Sequence, residues 1–285
     1  MRNKIIIYIT AIILLLTCYS KNPAIMAEDV IKKDTSLEIT TKNNNTSIDF
    51  YIENKTAYDI TITLEFTVFN NLEGNTNLPY TETIAPGEKI NAFTLYMIDT
   101  GDIWKYKYKY SYIPGSLYAV HDDSYMYSLP YSSGSSYYLT QGYNGTFSHF
   151  GEEAYCLDWG MPEGTGVYAA RGGTVIATRA MYSKGGNDKK YLGYANYILI
   201  RHYDGTIAEY FHFKKNGVYV VPGQEVKAGD LIGLAGSTGY STAPHLHFGV
   251  YKAADGYTRQ TLPVKFRTIN GEGTELQQGI YYTAP

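Results

Sequence analysis

Cysteine is scarce in this chain of 285 residues, occurring only twice. Two cysteines close at most one bridge, which excludes a disulfide-built miniature at a length ample for a conventional core. A strong charge of either sign is also lacking. The formal net charge of −3 argues against a basic nucleic-acid binder. The sequence shows no internal repeat, no phosphate-binding glycine motif and little that reads as helix. With 44% hydrophobic and 18% charged residues, it is not a disordered tail, and its length fits one or two domains.

The first 27 residues read as a leader rather than as part of the fold. Arg2 and Lys4 precede a nearly unbroken apolar run of 13 residues, Ile5 to Thr17, and Ala27 stands before Glu28 and Asp29. This is the pattern of a secretory signal cleaved after Ala27. A bilayer-spanning helix needs about 20 apolar residues, so no stable membrane span is expected after signal removal. Leu15-Leu16-Thr17-Cys18 also resembles a bacterial lipobox, which would make Cys18 a lipid anchor. Either route places the protein outside the cytoplasm, secreted or in the cell envelope or periplasm.

What the sequence has in abundance is strand-forming residues, tyrosine above all, with 31 copies. Residues 28–125 read as a β-sandwich of the immunoglobulin-like kind: short alternating or β-branched segments are separated by turn clusters such as Asn43-Asn44-Asn45 and Pro86-Gly87. In "WKYKYKYSY", Tyr106, Tyr108, Tyr110 and Tyr112 share one face and the lysines the other. That face is either a platform for stacking sugars or, more simply, a core. Residues 126–285 form a second domain, again strand-rich and poor in helix. It begins near "SLPYSSGSS", a linker or connecting turn. Residues 28–125 carry 15 acids and 8 bases, and residues 126–285 carry 12 acids and 13 bases. The first domain is thus acidic and the second nearly neutral, an asymmetry that supports the division in two.

The six histidines carry the chemistry. His121 and His202 fall in loops and read as structural. In "APHLHFGV", His245 and His247 are two apart on a strand and project from one face. His212 lies in "AEYFHF", and His149 and Asp158 bracket "HFGEEAYCLD". A catalytic zinc needs three N or O ligands and an open position for water. Two further histidines can then move protons and steady an oxyanion.

Three segments, "QGYNGTFSHFGEEAYCLDWGMPEGTGVYAARGGTVI", "AEYFHF" and "VVPGQEVKAGDLIGLAGSTGYSTAPHLHFGVY", together resemble the lysostaphin-type, or LytM-like, zinc endopeptidases of bacterial cell walls. The resemblance covers residues from about 126 to 285. It implies a compact antiparallel β catalytic domain holding one Zn2+, with His149, Asp158 and His247 as metal ligands and His212 and His245 as catalytic residues. The implied substrates are stem or bridge peptides of peptidoglycan, cut by a zinc-activated water. Eight residues separate His149 from Asp158, a longer loop than in the best-known members. The alternative is a non-catalytic relative that binds the wall and activates amidases, against which the retention of all five positions argues. Tyr143, Tyr155 and Trp159 would line a groove or pack in the core. Gly229, Gly233, Gly236 and Gly239 would permit tight turns beside it. Cys156, two residues before Asp158, is left without a partner once Cys18 is removed or lipidated.

Overall fold

The computed structural model of the protein describes residues 16–20 and 36–285. These divide into two compact units. One comprises residues 36–118 with Leu16–Ser20 and residues 253–258; the other comprises residues 119–252 and 259–285. The division falls after Tyr118 rather than after residue 125. The intervening residues bond into the second unit, where Val120 N donates to Asp204 O at 3.2 Å and Asp122 N to Asp204 Oδ2 at 3.1 Å.

The first unit consists of two four-stranded antiparallel sheets. One runs in the order Leu16–Ser20, Trp104–Pro114, Ile60–Asn70, Tyr80–Ile84; the other runs Leu37–Asn43, Ser47–Asn54, Lys89–Met97, Leu72–Gly74. Alternation drives both: Ile48, Phe50 and Ile52 are fully buried, as are Ile60, Ile62 and Leu64. Tyr106, Tyr108 and Tyr110 belong to this core, with Phe50 edge-on to the rings of Tyr106 and Tyr108. The tyrosine face is thus a core, and no sugar platform is formed there. Leu16–Ser20 pair with Trp104–Pro114 in the uncleaved chain, Cys18 opposite Tyr106. Leucine, threonine and tyrosine suit a strand and an open edge accepts one, so these five residues of the expected leader join the sheet. Ala27 and the rest of the apolar run lie outside the described residues.

The second unit is built on a nine-stranded sheet. Its order is Glu225–Val226, Gly173–Arg179, Tyr197–Arg201, Ile207–Phe211, His245–Ala253, Leu157–Gly160, Ser136–Gln141 and Tyr281–Thr283, with Arg259–Thr261 also paired to His245–Ala253. The pairs along that order are antiparallel, and a parallel pairing occurs at the margin, between Lys265–Thr268 and Met126–Ser128. Among the described residues the helical segments are two 3-10 turns, Gly151–Glu153 and Lys189–Tyr194. None is long and apolar enough to cross a membrane. The "SLPYSSGSS" stretch is a connecting turn inside this unit: Leu129 and Tyr131 are buried, and Tyr131 Oη donates to Tyr282 O at 2.7 Å. Trp159, flanking Asp158, is fully buried among Phe248, Phe266 and Tyr131. It anchors the central strands beneath the site.

Candidate metal centre

Three neighbouring strands bring the site together through their register. Asp158 lies opposite His247 across one antiparallel pair, and Phe211, the residue before His212, lies opposite His247 across the next. The strand alternation that buries Trp159, Leu246 and Phe248 turns Asp158, His245 and His247 to the other face. His212 follows the strand end with φ of 72°, a left-handed turn that is costly for a residue with a side chain. Close backbone packing holds that turn. A Cβ on Gly236 would lie 2.5 Å from Lys214 N and 2.9 Å from His212 O, so only glycine fits there.

His149 is fully buried in the loop ahead of the Gly151–Glu153 turn. Its Nδ1 lies 3.0 Å from Gly142 O. A carbonyl accepts only, so Nδ1 carries the proton and Nε2 is bare. That bare nitrogen sits 3.2 Å from Asp158 Oδ2 and has no hydrogen-bond partner. The other oxygen, Asp158 Oδ1, lies 2.9 Å from His247 Nδ1. Gln141 Nε2 donates to Oδ2 at 2.8 Å, fixing the carboxylate plane. A lone pair and a carboxylate oxygen face each other in a dry site, an arrangement that a shared cation relieves. Donor atoms of His149, Asp158 and His247 all lie within 4.8 Å of one another. Two nitrogens and one carboxylate are a donor set that suits zinc.

The remaining two histidines stand beside this set. His212 Nδ1 donates to Thr238 O at 2.7 Å, and His245 Nδ1 to Ala243 O at 2.8 Å, so each ring keeps Nε2 free. Their ring centroids are 4.4 Å apart, and His245 Nε2 lies 4.0 Å from Asp158 Oδ1. Burial first, and then the neighbouring His245 and His247, push the His212 pKa well below 6.5, so it is neutral at pH 7. Asp158, His212, His245 and His247 lie around a groove of about 340 Å³ with Phe147, Tyr240 and Ser241 on its walls, and His149 lines an adjoining pocket.

His202 is buried, bonded through Nδ1 to Gly172 O at 2.9 Å, and lies outside the site. His121 pairs with Asp123 and Tyr127. Tyr143 packs on the core and exchanges hydrogen bonds with Val264 N and O, so neither it nor Trp159 lines the groove. Cys156 is a buried free thiol whose Sγ donates to Glu153 Oε2 at 3.1 Å. Sequence reasoning missed Gln141, Glu153, Glu209 and Arg259. Glu209 carried a usable signal, a lone charge in the otherwise apolar strand "IAEYF".

This is a β domain with three donors able to hold one metal ion and two spare imidazoles at its edge. Residues 152–260 match the family described as Peptidase family M23, and this part of the chain is a Peptidase M23 domain. Over 91 residues it is 40% identical to the peptidoglycan DD-endopeptidase ShyA of Vibrio cholerae, a match spanning 32% of this chain and 18% of that protein. Over 132 residues it is 37% identical to lysostaphin of Staphylococcus simulans, spanning 46% of this chain and 23% of that protein. The chain thus spans less than a quarter of the length of these two curated relatives. The solved catalytic domain of lysostaphin from Staphylococcus simulans is 31% identical, with 45% of this chain and 87% of that one covered and a TM-score of 0.31.

Proposed function

We propose that the second unit is a zinc endopeptidase that hydrolyses peptide cross-links of bacterial peptidoglycan. The observation that carries this reading is the bare His149 Nε2 set 3.2 Å from Asp158 Oδ2, with His247 Nδ1 2.9 Å from the other carboxylate oxygen. His149, Asp158 and His247 would hold the metal, which when bound supplies a Lewis acid and lowers the pKa of a water toward about 7. The substrate peptide would lie in the groove, its scissile carbonyl between Asp158 and the His212–His245 pair. His212 and His245, each with Nδ1 tied to a carbonyl, present Nε2 as a proton acceptor. Two imidazolium rings 4.4 Å apart repel one another, so the pair carries one proton at a time. That proton makes one ring a donor to the developing oxyanion and then to the leaving amine. The peptidoglycan DD-endopeptidase ShyA among the relatives supports the substrate class. The basic start and short apolar run support export, and Cys18 offers the lipid-anchored form of it.

The test is a pair of variants of the full chain. His247→Ala is expected to lose both bound zinc and clearing of a peptidoglycan gel, whereas His245→Ala keeps zinc and loses clearing. Equal zinc content in the two variants would reject the assignment.

A further inference from the structure

Behind His247, on the side away from Asp158, lies a buried cluster that the reaction above leaves unused. His247 Nε2 points at Glu153 Oε2, 3.6 Å away, and Glu209 Oε1, 3.8 Å away, and bonds to neither. The ring is only 7% exposed, Glu153 4% and Glu209 not at all. Arg259 holds both glutamates: Nη2 bonds Glu153 Oε1, and Nη1 lies 3.1 Å from Glu209 Oε2. The neighbouring backbone makes room for the group. Gly249 lies opposite Glu209 in the sheet, and a Cβ there would sit 2.7 Å from Cys156 Sγ and 3.0 Å from Glu209 Oε1. Glu153, Cys156, Glu209 and His247 are close enough to hold a metal of their own. Arg259, however, already gives both carboxylates their cation, so the pocket is not built for a second ion. Two carboxylates against one guanidinium leave a net negative charge facing the imidazole edge.

We propose that Glu153 and Glu209, clamped by Arg259, are positioning residues that keep a proton on His247 Nε2 and so leave Nδ1 as its metal-binding atom. The inference rests on the metal reading above. An imidazole binds a metal through the nitrogen whose lone pair is free, and the partner of the other nitrogen decides which one that is. A bare Nε2 would set its lone pair against two acceptors in a dry pocket, whereas Nε2–H is attracted to both. Nδ1, which donates to Asp158 Oδ1 at 2.9 Å in the metal-free structure, is then the nitrogen that gives up its proton to a metal, on the side where His149 Nε2 also converges.

The full chain, labelled with 15N-histidine and loaded with 113Cd, reads the ligand atom directly. Coupling of cadmium to His247 Nδ1 with a proton on Nε2 is expected, and coupling through Nε2 overturns the proposal. Glu209→Gln keeps the shape and removes the charge; by chelator competition its zinc affinity should fall about 10- to 100-fold. An unchanged affinity in the folded variant also overturns the proposal, and if the variant does not fold, the wild-type cadmium spectrum decides alone. Cadmium coupled to neither His149 nor His247 overturns the metal reading, and this inference with it.

Discussion

Asn54 in the first unit and His149 in the second are both fully buried polar residues, and they are treated in opposite ways. The Asn54 amide donates to Tyr58 O, Ile84 O and Ala85 O, and its carbonyl accepts from Thr56 N and Thr56 Oγ1. Its hydrogen-bonding capacity is met from within the chain. His149 Nε2, by contrast, has a carboxylate oxygen at 3.2 Å and no donor. A buried polar group that is fully bonded stabilises a fold, while one left bare beside a like-minded neighbour is kept for something else. A single bare nitrogen is not enough to make the distinction. His202 Nε2 also lacks a partner, but it has an aromatic ring, Tyr127, edge-on at 5.8 Å.

The sharpest way to break this comparison is Asp158→Asn. The neutral amide should cost more zinc affinity than the roughly 100-fold reached by changes outside the ligand set, and gel clearing should fall to background. Wild-type zinc content in that variant would remove the contrast. Asn54→Ala tests the other side. It strands several buried carbonyls and should lower the unfolding free energy by about 3 kcal/mol, read from urea titration, with zinc affinity unaltered. A change in zinc affinity would show that the two regions are not independent.

His202 adds a dependence on pH. Burial depresses its pKa from 6.5 to about 4, despite the raising effect of its bond to Gly172. The folded state therefore binds fewer protons than the unfolded state in this range. The stability is complete above pH 6.5 and declines as the pH falls toward 4, by up to about 3 kcal/mol. His202→Gln should flatten the decline between pH 6.5 and 4 in urea titrations, and identical slopes for the two proteins would refute the assignment. The smallest effect is expected on the lysine face of Trp104–Pro114. Lys107→Ala should stay within about 0.5 kcal/mol of wild type, whereas Tyr108→Ala on the core face should cost about 3 kcal/mol. Equal costs in denaturant would mean that the alternation does not separate core from solvent.

Much of the site was legible because its signals are local. The two-residue spacing of His245 and His247 dictates a shared face wherever that strand is placed, and the alternating tyrosines of 106–112 behave likewise. The leader illustrates the limit of such signals. An apolar run reads the same whether it is to be removed or paired, and Leu16–Ser20 lie against Trp104–Pro114 in the uncleaved chain. The limit between the two compact units is hard to read for a related reason. Residues 119–125 look like the strands and turns before them, and their assignment depends on bonds to Asp204, some eighty residues downstream.

By itself the sequence determined the strand-rich character of both units, the scarcity of helix among the described residues, and the candidate set of four histidines and one aspartate. These follow from side-chain period, turn chemistry and residue type, each of which acts over a few neighbouring residues. Tertiary structure alone decided that Glu153, Glu209 and Arg259 meet behind His247, that Gln141 fixes Asp158, and that His149, His212 and His245 each have Nδ1 tied to a backbone carbonyl. Those facts depend on the register of antiparallel strands drawn from distant parts of the chain. A shift of one residue would turn the strand-borne members, Asp158, Glu209 and His247, to the other face.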